Sequence, residues 1–156
     1  MHISLVAVGK TVIPWVKAGL DEYCSRLGRY VSFSLVEIPD VKGAGSLPQA
    51  KIKELEGREI LRRTAGSDIF LLDERGRELR SVEFASALER LLAHSSKDIC
   101  FVVGGAYGFS EEVYAAAKGR FSLSKMTFNH QMVRTIFAEQ LYRAFTIMGG
   151  EPYHHE

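Results

Sequence analysis

The sequence predicts an α/β domain, a parallel-type sheet flanked by helices, folded as one unit over residues 1–156. Three observations point there. Short apolar runs recur at Ile3–Val8, Ser32–Ile38, Asp68–Asp73 and Asp98–Val103, the pattern of strands buried on both faces. Segments with helical spacing alternate with them, as in sheets covered by crossover helices. No internal repeat, low-complexity tract or interdomain linker interrupts the alternation.

Taken in order, Ile3–Val8 is a first strand, too short and too poorly flanked for a signal peptide. A helix follows over residues 15–27, with Trp15, Leu20, Tyr23 and Leu27 on one face. After strand two, Lys42-Gly-Ala-Gly-Ser46 has the composition of a loop. A polar helix spans about 48–64. Between Lys42 and Arg63, six cations (Lys42, Lys51, Lys53, Arg58, Arg62, Arg63) outnumber Glu54, Glu56 and Glu59; such a run touches phosphates or forms a solvated face. Glu74-Arg-Gly-Arg77 is expected to turn the chain after strand three, and Ser81 to cap a helix running to His94. Strand four enters Gly104-Gly-Ala-Tyr-Gly108, where glycine lets a ligand approach the main chain. A short helix opens at Ser110 with Glu111 and Glu112. Phe121–Phe128 is read as extended, and a long helix over 129–148 ends at Gly149-Gly150.

Composition excludes several classes. With 46% hydrophobic and 25% charged residues the chain is ordinary for a soluble domain. A net charge of +1 leaves any nucleic-acid contact to a local patch or to two chains together. No run is long enough to cross a bilayer, so no membrane partner is expected. Cys24 and Cys100 have no metal-ligand spacing and suggest no disulfide framework, which implies no metal and a cytoplasmic setting.

The glycine loop lies where ligands bind in open α/β sheets, at the carboxyl end of a strand. A dinucleotide is disfavoured: Val103 occupies the first position of a G-x-G-x-x-G, and Glu111 and Glu112 stand where pyrophosphate would sit. An adenosine ligand without phosphate, such as S-adenosylmethionine, fits better. The rivals are a nucleotide-dependent oxidoreductase and a non-catalytic RNA-binding module.

Several segments occur together in a fixed order: Leu5-Val-Ala-Val-Gly9, Glu37-Ile-Pro39, the strand with its glycine loop, Leu123-Ser-Lys-Met-Thr-Phe128, Leu141-Tyr-Arg-Ala144 and Pro152-Tyr-His154. Over essentially its whole length the chain resembles the bacterial ribosomal RNA large subunit methyltransferase H family, of the SPOUT class. The resemblance implies a C-terminal trefoil knot, which sequence physics would not propose. It also implies a homodimer and N3-methylation of a pseudouridine in 23S rRNA of the assembled large subunit, with S-adenosylmethionine as cofactor. It carries cofactor binding to Leu71, Leu72 and the adjoining Asp73, to Gly104 and Gly105, and to Leu123, Ser124, Lys125, Met126, Thr127 and Phe128. Catalytic candidates are His154 as a base, Tyr153 to stack on or hydrogen-bond the target, Arg143 to hold phosphate or developing charge, and His130 as an alternative. Spacing alone also allows an Arg143 pair with Glu139. Two positions depart from the family pattern: Asn129 where Pro is frequent, and His155 where Arg or Lys is usual.

Overall fold

A computed structural model describes residues 1–155. Five strands form one sheet in the order β2-β1-β4-β3-β5, every neighbouring pair parallel. The elements are β1 His2–Val8, α1 Pro14–Leu27, β2 Ser32–Ile38, α2 Gln49–Arg63, β3 Asp68–Glu78, α3 Ser81–His94, β4 Ile99–Val103, α4 Glu111–Ala116, β5 Gly119–Ser122 and α5 Met132–Met148. A single 3-10 turn, Ala44–Ser46, lies before α2.

Strand periodicity splits the core into two layers. Ile3, Leu5, Ala7, Phe70, Phe101 and Val103 face α1, α3 and α5, where they meet Leu20, Leu88, Phe137 and Leu141. Val6, Val8, Ile69, Leu71, Cys100 and Val102 face the opposite way, against Ile60 of α2 and Val113 of α4. The central strand β4 is buried along its whole length, as its uninterrupted apolar run requires.

The structure corrects five local expectations. Trp15 does not join the core stripe of α1; it is 64% exposed, and Val16, Leu20 and Leu27 are buried instead. Glu74–Arg77 does not end the strand, although residues 73–76 bulge out of the pairing. β3 runs through it to Glu78, with a register shift that sets both Leu72 and Arg77 opposite Phe121. Gly76 permits this: a Cβ there would stand 2.8 Å from the backbone of Arg120 and Phe121. Ser81 is not the cap of α3. Arg80 holds that position, its amide donating to Glu83 Oε1 at 2.8 Å, while the Ser81 hydroxyl donates to Gln140 Oε1 on α5 at 2.9 Å. The extended piece expected at 121–128 leaves the sheet after Ser122. There the Ser122 hydroxyl donates to Ser124 O at 2.8 Å, and Ser124 Oγ accepts from the Met126 amide at 2.9 Å. These bonds satisfy the chain locally and end strand pairing. Finally, α5 begins at Met132, after Asn129 Oδ1 has accepted the Gln131 amide at 2.7 Å.

The N-terminal end of α5 is tied to the loop after β1. Arg134 is fully buried within the apolar stripe of the helix. Its guanidinium donates to Val8 O (2.7 Å), Gly9 O and Thr11 Oγ1 (2.8 Å each) and His130 O (3.1 Å). Glu37 lies 3.5 Å away as counter-charge. Gln131 adds bonds to Lys10 O and from the Val12 amide.

Candidate active site

The pairing of β3 with β4 ends where Leu72 stands opposite Val103. Three loops converge beyond that point. Residues 73–75 continue β3, residues 104–108 follow β4, and residues 123–130 lead from β5 into α5. Together they enclose a cavity of about 490 Å³, within the range of small-molecule sites.

The glycine loop closes on itself through the Gly108 amide and Gly105 O at 3.1 Å, with Gly108 at φ +83°. Gly105 lies close against α2: a Cβ would stand 2.7–3.0 Å from the Glu56 carboxylate, and that flexible end of the side chain would have to shift. One oxygen of that carboxylate, Oε1, is buried without a partner. Burial and the nearby Asp40 push the Glu56 carboxyl above its ordinary range.

Leu72, Val103, Leu123, Met126 and Phe128 supply apolar lining, and backbone of the glycine loop and of 123–128 supplies polar edges. Asp73 and Glu74 set carboxylates at the same cavity. Tyr114 donates to Asp73 Oδ2 at 2.6 Å, and Thr127 donates to Glu74 Oε2 at 2.7 Å. Burial and that acidic acceptor push the Tyr114 phenol up to about 12, so it remains a neutral donor at physiological pH. This set suits S-adenosylmethionine. Apolar side chains and main chain would hold an adenosine, carboxylates would favour the cationic sulfonium end, and Arg75 is the only Lys or Arg in the lining.

Of the residues inferred from the sequence, Leu72, Gly104, Gly105, Leu123, Ser124, Met126, Thr127, Phe128 and His130 line this cavity. Leu71 and Lys125 stand apart. Leu71 is wholly buried in the layer facing α2 and α4, and Lys125 is largely exposed, its ammonium 4.0 Å from Glu78.

Arg143, Tyr153 and His154 form a separate cluster. Arg143 Nη1 lies 3.1 Å from His154 Nδ1, while Nη2 pairs with Glu139. The Arg143 guanidinium sits over the Tyr153 ring, 4.8 Å from its centroid. Tyr153 donates to Glu139 Oε1 at 3.0 Å and lies 3.3 Å from the Tyr23 hydroxyl of α1. Burial, Tyr23 and Glu139 all push the Tyr153 phenol upward, and the Glu139 hydrogen bond holds Arg143 charged. Val133 lines the cavity, and Arg143 follows it by ten residues, roughly 15 Å along the same helix. The tail cluster and the cavity are therefore two places on one protomer.

The basic run of α2 is largely neutralised at the surface. Lys51 and Arg58 pair with Glu54, and Arg62 and Arg63 with Glu59. Sequence reasoning missed Tyr114, Glu56 and Arg134. Only Arg134 left a signal, as a cation inside the apolar stripe Val133, Ile136, Phe137. Among the described residues no group of His, Cys, Asp and Glu could hold a metal ion, and no helix is long and apolar enough to cross a membrane.

Comparison with known proteins places this geometry. A family model described as "Predicted SPOUT methyltransferase" matches residues 1–154. A protein of Parabacteroides distasonis named "Ribosomal RNA large subunit methyltransferase H" is 48% identical over the full length of both chains. A Porphyromonas gingivalis protein of the same name is 49% identical, again over all of both. Among solved structures, a probable methylase family protein from Haemophilus influenzae Rd KW20 superposes with a TM-score of 0.52 at 15% identity, covering 99% of this chain and 70% of that one. At that identity the likeness speaks for the fold.

Proposed function

The chain belongs to the ribosomal RNA large subunit methyltransferase H family of SPOUT methyltransferases, and from that premise we propose that it methylates N3 of a pseudouridine in 23S rRNA, with S-adenosylmethionine as methyl donor. The observation that carries the reading is the cavity where the pairing of β3 with β4 ends, with its glycine wall, apolar lining and paired carboxylates. When bound there, S-adenosylmethionine supplies an electrophilic methyl group. The chain's own residues must do the rest: exclude water, orient the base, and accept the imide proton. N3 loses that proton, its electron pair forms the N–C bond, and the C–S bond breaks.

His130 is the histidine beside the cavity. Arg143, Tyr153 and His154 lie too far along α5 to act on their own protomer's cavity, which supports a homodimer in which each tail completes the partner's site. Arg143, kept charged by Glu139, would stabilise the developing imide anion, and Tyr153, a neutral phenol, would pack on or hydrogen-bond the base. C-terminal threading as a trefoil knot belongs to the same reading. It is supported by the path of residues 123–131 from the β5 edge to the end of β1, where Gln131 and Arg134 bind.

The decisive experiment is transfer of a labelled methyl group to large ribosomal subunits lacking the modification. Incorporation at pseudouridine N3 is the expected result. Absence of transfer, with the protein folded and the donor bound, would leave only a ribosome-binding module.

A further inference from the structure

Resting on the reading of RNA as substrate, we propose that a second cavity, beside the first, is a pocket for an unstacked nucleobase of the RNA next to the one methylated. This cavity, about 260 Å³, opens between the start of α3, the end of β5 and the outer side of α5. Leu123 lines both cavities, so they adjoin at that residue. A strand laid across Leu123 would present consecutive nucleotides to the two.

The lining has the two halves that a nucleotide requires. Its floor is aromatic: Phe121 and Phe84 meet edge-on at 5.4 Å and 80°, and Phe84 meets Phe137 at 6.1 Å and 67°. Phe121 is only half buried and offers a surface on which any base can stack. The rim is polar. The Ser81 hydroxyl donates to Gln140 Oε1 at 2.9 Å, and Gln140 Nε2 donates to Glu139 Oε2 at 3.2 Å. That arrangement leaves a second amide N–H on Gln140 and an accepting lone pair on Ser81 for the edge of a base. Arg77, exposed on the continuation of β3 opposite Phe121, adds a cation at the mouth for the attached phosphate. A phosphate alone would leave the aromatic floor without purpose. An apolar peptide would leave the Arg77 charge without a match. This pocket also gives a chain of net charge +1 a way to read RNA by an extruded base rather than by bulk charge.

Two measurements test it on the full-length protein. The first is steady-state kinetics of Arg77→Glu on large subunits lacking the methyl group. We expect KM for the subunits to rise about tenfold and its salt dependence to flatten by about one phosphate contact. kcat and S-adenosylmethionine affinity should stay as in the wild type. The second is thiol labelling of Ser81→Cys in a Cys24→Ser background; Cys100 is buried and silent. Subunits should slow labelling about tenfold, whereas S-adenosylmethionine alone should not. Labelling unchanged by subunits, or an unchanged KM for Arg77→Glu, overturns the proposal. Labelling that slows with protein concentration and without RNA also overturns it, because a second copy of the chain then fills the pocket. If the wild type transfers no methyl group, the reading of function has failed instead, which is a separate outcome.

Discussion

Replacing Arg134 by Ala should be among the most damaging single changes in this chain. The substitution removes four hydrogen bonds, to Val8 O, Gly9 O, His130 O and Thr11 Oγ1, and the counter-charge to Glu37. A buried acceptor left without a donor costs about 1–3 kcal/mol. Some of that returns as water or relaxed backbone fills the gap, and the guanidinium's own desolvation is relieved. Removing one member of a buried charged network has a net cost of about 3–5 kcal/mol. For a domain of this size each kcal/mol moves Tm by about 2–4 °C, so Tm should fall by roughly 6–20 °C. Thermal and urea denaturation followed by circular dichroism are the assays. Arg134→Lys, which keeps the charge but not the fork of donors, should lose roughly half as much. Glu37→Gln should lose less than about 1 kcal/mol, because that carboxylate is 31% exposed. A fall below about 3 °C for Arg134→Ala, or a Glu37→Gln loss as large as the Arg134→Ala loss, would refute the view that the guanidinium's bonds to main chain hold this corner together.

Glu56→Gln should raise Tm at pH 7 and leave it nearly unchanged at pH 4. Burial raises the folded-state pKa above the ordinary 4.5, so the wild type loses stability as pH climbs from the unfolded-state value through the folded one; an equal gain at both pH values would contradict this. Tyr153→Phe should cut methyl transfer at least about tenfold with donor affinity intact, while losing only about 1 kcal/mol of stability from the hydroxyl's bonds to Glu139 and Tyr23; calorimetric titration and single-turnover assays separate the effects, and unchanged transfer would rule out a role for the hydroxyl in the reaction. Gly105→Ala should weaken donor binding, since the new methyl displaces the Glu56 carboxylate beside the cavity; unchanged affinity would show that the glycine wall does not touch the donor. Mixing a chain deleted for residues 152–156 with a Gly105→Ala chain should regain part of the activity that each lacks alone; a mixture as inactive as its components would place the tail's action within one protomer.

Much of the fold can be read directly from local pattern. β1 and β4 are short apolar runs because both faces are covered, and α3 shows its core stripe at Phe84, Leu88 and Leu91. What escapes local pattern depends on partners far away in the chain. Glu74–Arg77 has turn composition and bulges out of the pairing, yet the strand resumes beside β5, because Gly76 lets two backbones touch. Trp15 matches a helical stripe but lies one position away from the face that α5 covers. The glycine loop at the carboxyl end of a strand is legible from local pattern, whereas Leu72 and Met126 are placed at the cavity only through the family resemblance. The separation of Tyr153 and His154 from the cavity is not legible, because sequence order does not say how far along α5 a tail folds back. Arg134 was hidden for a related reason. A buried cation is tolerated only where main-chain carbonyls converge, and those belong to residues more than a hundred positions earlier.

The knitting of the last helix into the first loop also sets a timetable for the nascent chain. β1 lies inside the sheet, its first amide bonded to Asp98 and its exit held by Gln131 and Arg134. Those partners have yet to be translated when residues 2–12 leave the ribosome. At roughly 5–20 residues per second the wait is on the order of 6–25 s. Until β4 has been translated, the strand Ile3–Val8 has no native strand neighbour except β2, and contacts of such long sequence separation form slowly even afterwards. β1 is thus made well before the residues that secure it, which makes it a place where a chaperone has much to do.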